Sequence, residues 1–236
     1  MNLQDFLNKY SEEPSASREE LVLKGVSEGW LFCQWLPIES NYNGHHGRFW
    51  VGDDAVRLEE NGQRFRPQGS ARLLQKVADL MGGSLLTDKL MDLSYEQADA
   101  KLDACTLKAG PKMESKQYSI DFNNAVEEKR AGKTGLIRDC GKTWMLHNGM
   151  ATGAGAVNCG FYSKDAIYRS PGGFKLWQNA GTKHNALHAD YSQVILIMNQ
   201  ICQIDGEDMN IADVICNKDL CGLVSYYGVI KFSRQR

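Results

Sequence analysis

The sequence predicts an α+β fold with a helix-rich N-terminal half and a mainly antiparallel, strand-rich C-terminal half. Three observations lead there. Up to residue 130 apolar residues recur at helical spacing, as in SARLLQKVADLM at 70–81. From Gly135 onward they fall into short runs separated by glycine, such as GLIRDCGKTWMLHN, AVNCGFYS and FKLWQ. Helix-like and strand-like segments are grouped and do not alternate, which argues against a βαβ chain.

Taken in order, residues 2–10 and 17–28 read as helices. A Ser17/Glu20 capping box opens the second, and Leu21, Val22 and Val26 form its apolar side. Trp30 to Leu36 is dense enough in aromatics for the core or a pocket wall. Asn41 to Gly47 (NYNGHHG) reads as a loop, and Arg48 to Glu59 as a hairpin about Gly52-Asp53-Asp54. His45 and His46 are neighbours in an extended segment and point to opposite faces, so at most one serves a given site. Leu73, Leu74, Val77, Leu80 and Met81 place a helix at 70–81, stopped by Gly82-Gly83, and a second runs from a Thr87 cap to Leu102. Residues 103–116, broken by Gly110-Pro111, read as a linker before a helix at 119–130. Val194 to Ile204 is a strand leading into an Asp205-Gly206 turn. Asn210 caps a short helix, and YYGVIKF is an edge or closing strand.

At 236 residues the chain forms a single α+β domain, 1–236, with a sub-boundary at 103–116 between a helical and a strand-rich part. Its 27 basic and 29 acidic residues leave a net charge of -2, so no overall field gathers nucleic acid or an anionic membrane. The N-terminus carries acids where a secretory signal is basic, and no apolar run is long enough for a membrane span. A cytoplasmic location is expected. Seven scattered cysteines without a C-x-x-C pair argue against a disulfide scaffold or a zinc ribbon.

Two resemblances to a phosphate-binding loop fail. Gly132-Lys133-Thr134 and Gly141-Lys142-Thr143 each need a glycine five residues before their own, where Glu127 and Leu136 stand. Gly181 to Asn199, GTKHNALHADYSQVILIMN, is more informative. It gathers two of the five histidines, a carboxylate and a tyrosine directly ahead of the most apolar run. His184 and His188 are four apart and share a face on a helical turn. With Asp190 they could hold a divalent metal such as zinc, although Asn185 stands where an H-E-x-x-H protease has its glutamate. Without a metal, His184 is a general base oriented by Asp190, with Tyr191 and His147 as secondary participants. The same stretch can equally be a structural hydrogen-bonded loop.

Lys142, Trp144, Trp177 and Asn158 are candidates to line a cleft. Aromatics beside polar groups suit a sugar ring or a base, and suit a core equally well. Cys159 is either a buried thiol or a nucleophile served by His184, with Asp190 or Asn158 as orienter. No helix pattern follows it to lower its pKa.

The segments GKTWMLHN, NCGFY and HADYSQV, and more loosely GSLLTDKLMDLSYEQADAKL, resemble a family of uncharacterised bacterial and phage proteins that share GKxW, NxGF/W and ADYSQ-like pieces. The similar pieces keep the same order and cover about two thirds of the chain. That family has no established activity, so the resemblance implies no catalytic residues. It does imply that an aromatic is common where this chain has Cys159.

The functional expectation is a hydrolase with a His/Asp-centred site in the C-terminal half, acting on a peptide, amide or glycan bond of a small-molecule or polymer substrate. The alternatives are a non-enzymatic binder of a small polar or nucleotide-like ligand, and a structural or assembly protein.

Overall fold

The helices begin where a short polar side chain can accept from the free N–H groups of a first turn. Asn2 opens α1 (Leu3–Lys9) and Ser15 opens α2 (Ala16–Ser27). Ser70 opens α3 (Ala71–Leu80), Thr87 opens α4 (Asp88–Glu96), Ser115 opens α5 (Lys116–Arg130) and Asn210 opens α6 (Ile211–Cys216). The Thr87 and Asn210 caps are those expected. The capping box at Ser17 is not formed: Ser15 accepts from Arg18 N, and Ser17 already lies inside the helix. The computed structural model describes residues 1–152 and 154–235.

Asn-Gly and Asp-Gly turns fold the strands. At Asn43-Gly44, Asn61-Gly62 and Asp205-Gly206 both residues have positive φ, the geometry that matches the twist of a two-residue hairpin. The first joins β1 (Trp35–Tyr42) to β2 (His45–Gly52), and the second joins β3 (Leu58–Glu60) to β4 (Gln63–Phe65). The hairpin expected about Gly52-Asp53-Asp54 is therefore replaced by two others. The two carboxylates are instead drawn inward: Asp53 pairs with Arg57 through two contacts of 2.9 Å, and Asp54 accepts from Arg66 at 2.8 and 2.6 Å.

Between them and the third turn run β5 (Gly83–Leu85), β6 (Ala100–Lys101), β7 (Ile137–Arg138), β8 (Lys142–Trp144), β9 (Asn158–Tyr162), β10 (Tyr168–Arg169) and β11 (Lys175–Gly181). The third turn joins β12 (Ile197–Ile204) to β13 (Glu207–Asn210).

The fold is α+β. One sheet has the order β1-β2-β12-β13, with β5 also on β12, so it draws strands from both halves of the chain. A second has the order β10-β11-β9-β8, all antiparallel, while β6 and β7 pair in parallel. The helix expected to reach Leu102 stops at Glu96, because Ala100 and Lys101 leave it to pair with Ile137 and Arg138. Residues 226–232 form no strand; Ile230 N instead donates to Ile215 O beside α6. One hydrophobic cluster runs from Phe6 to Ile230 and holds both sheets together. No helix among the described residues is long and apolar enough to cross a membrane.

Candidate functional site

The loop between β11 and β12 is clamped onto β8. Lys142 N donates to Ser192 O at 2.7 Å, and Val194 N donates to Lys142 O at 2.9 Å. This clamp brings Lys142 Nζ within 3.2 Å of Asp190 Oδ2, with the ammonium also over the Phe161 ring. Asp190 Oδ1 accepts from both Ser192 N and Ser192 Oγ, and Asp190 N donates to Gln193 Oε1. Burial opposes the charged carboxylate, but His188, the Lys142 ammonium and the Ser192 donors outweigh it and hold Asp190 well below the usual carboxylate range. This is a saturated anion, suited to positioning a loop and poorly suited to taking a proton.

His184 and His188 do come together, though on a turn and not on a helix. Their rings lie face to face, 4.0 Å apart and 7° from parallel. His188 Nε2 stands 3.5 Å from Asp190 Oδ2 and Nδ1 stands 3.4 Å from Glu114 Oε1. Ring-nitrogen lone pairs lie in the ring plane, so stacked imidazoles direct theirs side by side and do not converge on one ion. Accordingly, no group of three or more His, Cys, Asp or Glu side chains among the described residues is arranged to hold a metal. His184, His188 and Asp190 thus form a stacked pair on an anion, not the expected ligand triad. Burial, then electrostatic repulsion from the His188 ring and the Lys142 ammonium, push the His184 pKa down. Among the described residues no hydrogen bond is made by its ring.

The remaining candidates disperse. Tyr191 points away from the histidines: its hydroxyl accepts from Leu107 N at 3.0 Å and its ring packs on Tyr118 and Phe122. It pins the 103–116 segment. Trp144 is 0% exposed and donates Nε1–H to Gly69 O, so it belongs to the core. Cys159 sits inside β9, where burial pushes its thiol far above the ordinary value, against a role as nucleophile. His45 and His46 do diverge, towards Asp205 and Glu39 respectively. His147 caps a 3-10 turn by accepting from Gly149 N, and its ring meets Tyr227 edge-on.

Three candidates do share a cavity. Asn158, Trp177 and His184 line a pocket of about 240 Å³, together with Tyr168, Gln178 and Lys183. Trp177 is 38% exposed and Asn158 only 1% exposed. Neither Oδ1 nor Nδ2 of Asn158 has a hydrogen-bond partner among the described residues. The β9–β11 register shifts between Gln178 and Gly181, and Gly181 stands opposite Asn158. A side chain at Gly181 would put its Cβ 3.5 Å from Asn158 Oδ1 and 2.8 Å from Gln178 Nε2. The glycine keeps the space beside the amide free of a further side chain, while the amide's own polar atoms are buried, with the half-buried Gln178 side chain next to them.

Tyr168 and Gln178 were not legible as pocket residues, since only the antiparallel pairing of β10, β11 and β9 brings them to Asn158. The chain matches no family model, no curated protein and no solved structure.

Proposed function

We propose that this protein binds a small polar molecule with a flat or ring-shaped face in the pocket of Asn158, Trp177 and His184. The observation that carries this reading is the unpartnered Asn158 carboxamide. Leaving a buried polar group without a partner costs about 1–3 kcal/mol, and such groups concentrate where a fold has a use for them. Its adjacent acceptor and donor suit a ligand edge that offers a donor beside an acceptor. Trp177 supplies an exposed aromatic face for the ring.

One further observation favours turnover as a second reading. His184 lines the same pocket, its ring makes no hydrogen bond among the described residues, and its lowered pKa keeps it neutral near pH 7. A neutral imidazole there can take a proton from water or from a substrate hydroxyl. Hydrolysis would then depend on His184, with Asp190 acting only by fixing the loop.

The test is a thermal-shift screen of monosaccharides, nucleosides and aryl amides against the wild type, Asn158→Leu and Trp177→Ala. Ligands that stabilise the wild type and neither variant support the pocket. A screen in which no compound raises the wild-type melting temperature overturns it.

A further inference from the structure

The Asn158 pocket does not end at Asn179. That residue also lines a second pocket of about 300 Å³, bounded by His147, Ala180, Ser225, Tyr227 and Ile230. The second wall is tied in place, because Asn148 Nδ2 donates to Val229 O and Asn148 Oδ1 accepts from Lys231 N. These bonds hold the segment that carries Tyr227, a side chain 63% exposed. His147 Nδ1 accepts from Gly149 N, so the proton of the neutral ring is on Nε2 and is available to donate.

Each pocket thus pairs an exposed aromatic with a histidine, Trp177 with His184 and Tyr227 with His147. The polar lining of the two is almost entirely uncharged: amides, the hydroxyls of Ser225, Tyr168 and Tyr227, an indole and imidazoles, with Lys183 the one formal charge among the described lining residues. A phosphate-linked polymer is held by several cations and its binding weakens steeply with salt. A neutral polyol needs none. Adjacent ring hydroxyls, each a donor and an acceptor, match the side-by-side acceptor and donor of a carboxamide, and the apolar face of a pyranose covers an aromatic ring.

We propose, resting on the pocket reading above, that the two pockets form one groove for a neutral oligosaccharide, with one sugar ring on Trp177 beside Asn158 and another on Tyr227 beside His147.

Calorimetry on the full chain tests this with β-1,4-glucose, α-1,4-glucose and β-1,4-N-acetylglucosamine oligomers of one to six units, and with hexathymidylate as an anionic control. In one sugar series the affinity should rise about tenfold or more from one unit to four, and change little with added salt. Tyr227→Ala should cancel that rise, while Trp177→Ala should weaken every length. Affinity that does not increase with length, no binding by any sugar series, or tighter and salt-sensitive binding of hexathymidylate overturns the proposal. If the thermal-shift screen has meanwhile given ligands lost in Asn158→Leu, the pocket stands and only the extended glycan groove falls.

Discussion

Lys142 Nζ and Asp190 Oδ2 face each other at 3.2 Å with their residues only 7% and 3% exposed. The pair joins the central loop to β8, and it fixes the turn on which His184 and His188 stack. Removing one member of a buried pair strands the other's charge, a loss of about 3–5 kcal/mol. Lys142→Met is therefore expected to destabilise the protein by that order in urea denaturation at pH 7. Because the Asp190 pKa is lowered on folding, its contribution is complete above the unfolded value near 4 and is lost as pH falls through the folded one. Lys142→Met should consequently flatten the acid side of the stability profile below about pH 4, where the wild type loses this contribution.

Two tryptophans that look alike in sequence separate by function. Trp144 is fully buried with its indole N–H bonded to Gly69 O, whereas Trp177 lies on the pocket wall. Trp144→Ala should cost about 3–5 kcal/mol, as for a large core aromatic. Trp177→Ala should change stability by less than about 1 kcal/mol and act on ligand binding. Denaturation midpoints of the two variants, measured side by side, check this ordering.

Asp139 predicts a loss of stability towards alkaline pH. It is 4% exposed, Oδ1 accepts from Gly141 N, and Oδ2 has no partner among the described residues. Burial raises its pKa to about 7; the backbone donors and Arg138 oppose this, and Asp103 adds to it. The Arg138 guanidinium is directed elsewhere, to Ser94 and the carbonyls of Gly52, Asp53 and Ile137. The folded state therefore keeps a proton that the unfolded chain releases near pH 4, and stability falls as pH rises from about 4 to 7. Asp139→Asn should remove this component, leaving stability at pH 4 nearly unchanged and raising it at pH 8 by about 2–4 kcal/mol. Asp88, raised to about 6, should leave a smaller slope in the variant. Urea denaturation of both proteins across this range measures the difference.

How much of this was legible in the sequence follows from the range of each interaction. Caps and helical stripes are local, so Thr87, Asn210 and the helix at 70–81 stand close to where the sequence put them. The Asn43-Gly44 turn is as readable as Asp205-Gly206, but the two polar histidines that open the following strand make NYNGHHG read as a loop. The course of residues 97–102 was not readable, because their partner strand lies at 137–138. Similarly, nothing near Asp53 and Asp54 announces that they are buried against Arg57, Arg64 and Arg66. At the site, Asn158, Trp177 and His184 were each identifiable by residue type. Their meeting depends on the β9–β11 pairing, and the dispersal of Tyr191 and Trp144 depends on which face of the loop and strand meets the core.

The Asn158 carboxamide gives the most discriminating stability test. If its only role were to fill space, a branched apolar side chain of similar volume would serve better, since it removes a buried amide with no partner. Asn158→Leu is therefore expected to leave the unliganded protein as stable as the wild type or to stabilise it by about 1 kcal/mol. The same variant should lose the thermal stabilisation that ligands give the wild type. A gain in intrinsic stability accompanied by a loss of ligand response marks a residue retained for binding at the fold's expense. A fall of several kcal/mol in Asn158→Leu would instead mean that the amide is satisfied within the folded chain, and would remove the observation on which the pocket reading rests.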